Sequence, residues 1–572
     1  RPELKNSDIY HRPEMEDFFK MCASIDGFPK HLSVHLGGLL IGDEKLSGMV
    51  PLEYSSGGDI ISQYDKDDIE KLGIVKMDLL ALPTLTVIED TITNIKKNRN
   101  IDIDLDNIDR NDTQAFAILR EGKAIGAFQL ESPAQREMAG RLLPDRYEDI
   151  IISISLVRPG PLKSNMDKDY LPRRHGKKAV TYLHPKLKNA LDETLGVILY
   201  QEQVLKVAHD LAGMSYAEAD GFRRAMTHDR SGEEMEKMRK SFILSAAKNG
   251  VSRKISEKVF EQLAAFAAYG FCKAHAAAYA ELAYQTLWLK CHYPAEFFAA
   301  ILSNQPMGYY PPRVLLAEAK RSGVKILPLD INRSLRDYSV EGNAIRIGFM
   351  QLKGLSSEAI ESILSERDKS NFNSFRDFIL RVGINRNSAE NLIKTGACSA
   401  FGTADGLLSE IPKLFNLKHK YLKGSLPMFA DIDIFEAATP EKSKGSRGAD
   451  IFIERKLLSL DISSHPLNFF NINAGITHMK DLKDKSTGNT VSIAGSVIRY
   501  QTPPTRNGKR VMYIIMEDGT GIADITVFGD IQEKYGNILF REGWLLVRGK
   551  IQRRGPKALS IIAEELSPLT LS

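Results

Sequence analysis

The chain has 572 residues, which at ~100–200 residues per domain makes several folding units and excludes a peptide or a single small module. Hydrophobic residues at 43% beside charged residues at 26% exclude wholesale disorder, and a net charge of only +4, from 77 Lys+Arg against 73 Asp+Glu, leaves a nucleic-acid partner to be decided by local clustering of basic residues. The four cysteines, Cys22, Cys272, Cys291 and Cys398, stand far apart without a CxxC pair, which excludes a disulfide framework or zinc knuckle and points to a reducing, cytoplasmic setting. The apolar run 274–289 is interrupted by Glu281 and Gln285, short of the ~18–20 unbroken residues of a membrane span, so no membrane partner is expected. The first residue is Arg1 and no signal-peptide pattern follows, so the chain is expected to begin inside a domain.

The first ~85 residues mix glycine-bounded apolar runs, 36–41 and 73–82, with acidic turns, the pattern of an α/β layer with buried strands. From about 86 to 330 the apolar spacing turns helical. It predicts helices over 147–156, 185–195, 201–214, 234–249 and 256–268, the first with Asp145 as its cap. Residues 345–400 hold two helix–turn–helix candidates, one around Lys353-Gly354 and one around Gly383-Ile384-Asn385. Residues 430–450 have a linker composition. Beyond 488 alternation takes over, with strands at 491–497, 511–517, 521–528, 544–552 and 558–563, the pattern of a small Greek-key barrel of the oligonucleotide-binding type.

Several strings carry chemistry. On the 73–80 strand, Lys76 and Asp78 share a face, where a carboxylate can hold a divalent cation and a lysine can meet phosphate; a mutual salt bridge on a solvated face is the alternative. Arg158 opens the rigid turn Arg158-Pro159-Gly160-Pro161, and 172–178 adds basic residues. Arg223 and Arg224 follow, and then Tyr269-Gly270-Phe271-Cys272-Lys273-Ala274-His275 interleaves aromatics with cations, as stacking on a base while holding its phosphates requires. A core helix with a few exposed charges explains that last string equally well. The turn at Lys353 and Gly354 can aim backbone N–H groups at a phosphate. The barrel concentrates Arg499, Arg506, Lys509, Arg510, Arg548, Lys550, Arg553, Arg554 and Lys557 beside Tyr500, Tyr513 and Phe528, which favours single-strand binding over a protein-binding barrel. In 423–430, Leu426, Met428 and Phe429 can anchor in a partner's groove or dock on their own domain.

In order, His35-Leu36-Gly37-Gly38, Val75-Lys76-Met77-Asp78, Gly126-Ala127-Phe128-Gln129-Leu130-Glu131-Ser132, 157–161, Leu199-Tyr200-Gln201-Glu202-Gln203-Val204, Arg223-Arg224-Ala225-Met226 and Tyr284-Gln285-Thr286-Leu287-Trp288-Leu289-Lys290 resemble the bacterial C-family DNA polymerases, the DNA polymerase III alpha subunit and its error-prone relatives, over essentially the whole chain. Asn304–Tyr310 and Ala225-Met226-Thr227-His228 are similar to the error-prone branch, whereas Lys273-Ala274-His275 looks closer to the replicative one. The resemblance implies a multidomain α+β protein: a partial nucleotidyltransferase-type palm, large helical fingers, a helix–hairpin–helix module and a C-terminal OB-type β-barrel. It implies a thumb remnant at 1–33, the C-terminal half of the palm at 34–85, fingers at 86–335, the helix–hairpin–helix and clamp-binding region at 336–430, a connecting region at 431–487 and the OB domain at 488–572.

The activity so implied is template-directed DNA synthesis from dNTPs on a primer–template by a two-Mg²⁺ mechanism, with Asp78 at the third metal-binding aspartate. Lys76, Arg158, Arg223, Arg224, Lys273 and His275 are expected around the nucleotide and primer–template; Lys353, Gly354, Arg499, Arg510, Arg553 and Arg554 are expected on DNA. Nothing before Asp78 matches the Pro-Asp-x-Asp-x-Asp segment that supplies the other two aspartates, so the chain is expected to be truncated at its N-terminus and inactive alone. The clamp peptide of the family usually carries Gln where Ser425 stands. The alternative reading is a non-catalytic DNA-binding fragment that docks on the sliding clamp.

Overall fold

The computed structural model describes residues 11–28, 33–35, 37–42, 46–158, 166–227, 232–267, 271–422, 447–472, 475–503, 511–541 and 543–570. They fall into two units, Arg1–Thr86 and Val87–Ser572.

In the first unit Asp65 caps the Lys66–Lys71 helix by accepting the backbone N–H groups of Asp67 and Asp68, and Ile69 packs with Val50 and Ile74 in a small core. Strand β1 (Gly38–Ile41) pairs antiparallel with β4 (Val75–Asp78), and β2 (Leu52–Tyr54) with β3 (Ile60–Ser62). The expectation of buried strands fails here: every residue of β4 is exposed. The β1–β4 ribbon has only two strands. Leu39 opposite Met77 and Ile41 opposite Val75 therefore form an apolar face that no layer of described residues covers.

The second unit begins in the Pro83–Arg99 helix and is helical to Arg321. Its central element is the Lys273–His292 helix, apolar on most sides, whose Ala276, Ala280, Ala283, Tyr284 and Leu287 pack against the Tyr147–Leu156 helix in one core. The Gln201–Ala212, Tyr216–Thr227, Gly232–Lys248 and Arg253–Ala267 helices build a second core around Phe222, Phe242 and Phe260. Two local expectations need correction. Segment 185–195 is three short turns rather than one helix, ending where Leu195 and Gly196 both take positive φ. The 147–156 helix has Arg146, not Asp145, at its cap position; Asp149 reaches back to accept the Asp145 N–H.

A third core joins the Pro312–Arg321 helix, a small sheet of β5 (Lys325–Leu327), β7 (Ala344–Arg346) and β6 (Ser339–Glu341), and the helix–hairpin–helix elements Ser357–Lys369, Phe375–Arg381 and Arg386–Lys394. Ser356, Ser374 and Asn385 each cap the helix that follows. The last module is a closed barrel of β8 (Thr490–Gln501), β9 (Met512–Glu517), β10 (Ile522–Val527), β11 (Trp544–Arg553) and β12 (Leu559–Pro568), in the order β10-β12-β11-β8-β9. Alternation fixes its register: Met512, Ile514, Met516, Ala523, Ile525 and Val527 point inward. The Gly529–Arg541 helix between β10 and β11 did not figure in the strand pattern. No helix among the described residues is long and apolar enough to cross a membrane.

Candidate functional site

Asp78 ends β4, opposite Gly38. Its carboxylate pairs closely with the Lys76 ammonium and lies 3.8 Å from His35 Nδ1. The register puts Lys76 and Asp78 on the face opposite the apolar one, and a Cβ on Gly38 would sit 2.9 Å from His35 Nδ1, so glycine keeps that approach open. The Lys76 hydrogen bond, followed by the charges of Lys76 and His35, holds the Asp78 carboxyl below the usual aspartate range. The salt bridge weighed as the alternative for this pair is what forms.

A two-ion centre needs several carboxylates around one space. Asp78 supplies one, facing an ammonium and an imidazole, and among the described residues no group of three potential ligands includes it. The described residues alone therefore do not fit a two-magnesium site. The single such group among the described residues, Asp461, His465 and Glu517, lies at the barrel, far in sequence from Asp78. Arg313 and Arg455 each approach Glu517 Oε1 to 3.8 Å, and Arg455 reaches Asp461 at 3.4 Å. Two guanidiniums already balance the two carboxylates, which makes this an ionic network rather than a cation site.

In the second unit the decisive contact is a bridge between Tyr200 and Phe271, with the Gln201 N–H donating to the Phe271 carbonyl at 2.9 Å. It brings the start of the Gln201–Ala212 helix against the start of the Lys273–His292 helix. Around it stand Arg158, Arg223, Lys273 and His275, four of the six residues expected around the nucleotide and primer–template. The Arg158 guanidinium lies 3.7 Å over the Phe271 ring, and no described carboxylate pairs with it. Burial lowers its affinity for a proton, offset in part by Tyr279. His275 meets Phe271 edge-on at 5.3 Å and Tyr279 at 4.1 Å, and Tyr279 continues to Phe128 at 5.3 Å. Partial burial and then the Arg158 charge hold the His275 imidazole below the usual histidine range. Lys273 is paired with Glu193.

Glu202 was not among the expected residues, yet it organises this corner. Its carboxylate accepts the Lys273 N–H at 3.0 and 3.1 Å and the Cys272 thiol at 3.2 Å. Burial would raise its pKa, but these hydrogen bonds prevail and lower it. Neither run of sequence shows that a carboxylate 71 positions away caps this helix.

On the other side of Gln201, Arg223 donates to Gln201 Oε1 at 3.4 Å and to Asp220 at 2.8 and 3.0 Å. Arg224 takes the second Asp220 oxygen at 2.8 Å and keeps its side chain 72% exposed. Gln201, Glu202, Leu205, Lys206, Tyr216, Arg223 and Cys272 line a cleft of ≈ 420 Å³, with Tyr216 stacked on His209 at 4.1 Å. Arg158, Arg223, Lys273 and His275 thus converge on the Gln201–Phe271 contact, whereas Asp78 and Lys76 belong to the other unit.

The remaining candidates among the described residues are engaged by the protein itself. Lys353 Nζ donates to the Lys456 carbonyl at 3.1 Å, and Gly354, at φ +81°, accepts the Ser388 hydroxyl. Arg499 lies over the Tyr309 ring at 4.7 Å, Arg553 donates to the carbonyls of Lys483 and Lys485, and Arg554 is 3.6 Å from Glu137. Arg510 and the clamp-peptide residues Leu426, Met428 and Phe429 lie outside the described residues.

Comparison with known proteins matches this architecture segment by segment. Residues 2–81 match the bacterial DNA polymerase III alpha NTPase domain, 84–250 the bacterial DNA polymerase III alpha subunit finger domain, 323–405 a helix-hairpin-helix motif and 491–569 an OB-fold nucleic acid binding domain. The error-prone DNA polymerase of Symbiobacterium thermophilum is 38% identical over 97% of this chain and 55% of its own length. That of Teredinibacter turnerae is 33% identical over 96% and 53%, and the DNA polymerase III subunit alpha of Thermus aquaticus 33% over 96% and 46%. The chain belongs to the bacterial DNA polymerase III alpha and error-prone DNA polymerase family. It spans about half the length of these relatives. Arg158, Arg223 and Arg224 fall within the segment matched as this family's finger domain.

Proposed function

We propose that this chain carries the nucleotide- and template-handling part of a template-directed DNA polymerase, which joins a dNTP to a primer 3′-hydroxyl. The observation that supports this most is the convergence of Arg158, Arg223, Lys273 and His275 on the Gln201–Phe271 contact, beside a cleft whose wall carries Arg223, Lys206 and an exposed tyrosine. Guanidiniums and an ammonium there balance a triphosphate, and aromatic rings give a sequence-tolerant surface for bases. Arg158 is the best placed, since it has a ring behind it and no described carboxylate to neutralise it. Asp78 contributes one carboxylate toward the divalent cations, Mg²⁺ in this reading, that such a reaction employs. A single strand is taken at the barrel.

A second reading applies to the chain by itself: a DNA-binding piece without catalysis, favoured by the solitary carboxylate at Asp78. One experiment separates the two. Single-nucleotide primer extension in Mg²⁺ is run with this chain and with a version extended to the length of its relatives. Extension by the longer protein, lost in Arg223→Ala with primer–template binding retained, supports the polymerase reading. DNA binding without extension by either supports the second.

A further inference from the structure

We propose that the seam between the barrel and the helical body is a closed single-strand site: a strand enters it with phosphates replacing the Asp524 and Glu517 carboxylates at Arg136, Arg313 and Arg455, and the barrel lifts to admit it. The inference rests on the reading of the barrel as strand-binding.

Barrels of this type take oligonucleotides across the outer face of their second and third strands, flanked by the loop between strands four and five. Here those strands are β9 and β10. The residues facing outward are Tyr513, Ile515 and Glu517 on β9 and Ile522, Asp524 and Thr526 on β10, since their neighbours fill the barrel core. Ile515 is buried in the same core as the Pro312–Arg321 helix, Ile522 packs against that core, and Thr526 is buried; only Tyr513 counts as exposed. The loop is closed as well. The Lys557 N–H donates to the Gly140 carbonyl at 3.1 Å, and a Cβ on Gly140 would lie 2.8 Å from the Ala558 nitrogen.

Carboxylates on a nucleic-acid face are out of place unless something cationic covers them. Arg136 Nη2 donates to both Asp524 oxygens at 2.9 and 3.0 Å from the Pro133–Leu142 helix. Glu517 is enclosed by Arg313, Arg455 and His465. Each carboxylate stands where a phosphate would bind an arginine. The seam is also imperfectly satisfied: Arg136 Nε, Arg313 Nε, Asp461 Oδ1 and Glu517 Oε1 are buried without a hydrogen-bond partner among the described residues. Buried orphans of this kind weaken the closed state relative to one in which anions and water reach them.

The test is anisotropy of a labelled twenty-nucleotide thymidine strand with the whole chain at fixed salt. Gly140→Val must push the 554–558 loop away, because its side chain meets backbone, and Asp524→Asn removes the carboxylate that holds Arg136. Both are expected to bind the strand on the order of ten-fold tighter than the parent, since an opened seam no longer discounts affinity by the closed fraction. Asp530→Asn, an exposed carboxylate elsewhere on the barrel, leaves affinity unchanged. Adding Arg136→Gln to Gly140→Val lowers affinity again and makes the salt slope shallower by about 0.7 for each phosphate no longer neutralised. If the parent binds and neither opening variant binds tighter, or Asp530→Asn tightens as much as Asp524→Asn, the closed-seam proposal is overturned while the barrel reading stands. If neither parent nor variants bind, the barrel reading falls and this inference with it.

Discussion

The Arg158 guanidinium lies 3.7 Å over the ring of Phe271, with no carboxylate among the described residues to neutralise it. A planar cation held against an aromatic face is fixed in direction at little conformational cost, and its outer side remains able to take an anion. Arg158→Lys keeps the charge but loses the stacked plane. We expect nucleotide affinity, measured by equilibrium binding of a dNTP to the primer–template complex of a relative-length protein, to fall about two- to thirty-fold, in line with ~0.5–2 kcal/mol for such a contact. Unchanged affinity would remove Arg158 from the site.

His275 provides a pH signature of the same corner. Burial and the Arg158 charge lower its proton affinity below the ordinary 6.5. In the folded chain it therefore stays neutral where the unfolded chain binds a proton, so its contribution to stability is present above pH 6.5 and is lost as pH falls through the lower folded value. Arg158→Gln removes one of the two causes, and the His275 ring resonance, followed by NMR titration, should move up toward 6.5.

Lys290 is buried in the second unit. Its Nζ donates to the carbonyls of Lys123 and Ile125 at 2.6 and 2.8 Å and to Glu318 at 2.7 Å, and Arg321 takes the other Glu318 oxygen at 2.8 Å. Lys290→Met leaves two carbonyls and part of a buried carboxylate without partners, and we expect a loss of about 3–5 kcal/mol in urea unfolding. Burial would raise the Glu318 carboxyl, but Lys290 and Arg321 prevail and hold it at about 2. Its stabilisation is therefore present above the ordinary value of 4.5 and is lost as pH falls toward 2; the Lys290→Met protein should show a weaker acid dependence over that window.

Periodicity carried the architecture well where a pattern answers to one local cause. The 147–156 helix and all five barrel strands are found close to where alternation and spacing put them, because burial of one face dictates each period. Segment 185–195 misleads because its apolar spacing says nothing of the left-handed turn at Leu195 and Gly196. Exposure of β4 was hidden for a related reason: a run such as Val75-Lys76-Met77 reads as buried whether or not a layer covers it. At the candidate site, the types of Arg158, Lys273 and His275 were legible, but Glu202 capping Lys273 was not, since the two stand 71 positions apart. The basic residues of the barrel drew attention by clustering. What each one touches, such as Tyr309 beneath Arg499 or the carbonyls that Arg553 binds, follows only from packing between modules.

Asp78 gives the most direct test of the account. In a protein of its relatives' length, Asp78→Asn is compared with the parent in single-nucleotide extension with Mg²⁺ and in primer–template binding. The account predicts that extension is lost while DNA binding stays nearly intact, because the Asp78 carboxylate is half exposed and its removal costs the fold only an ion pair with Lys76. Extension that persists, or equal loss of extension and binding, would contradict it.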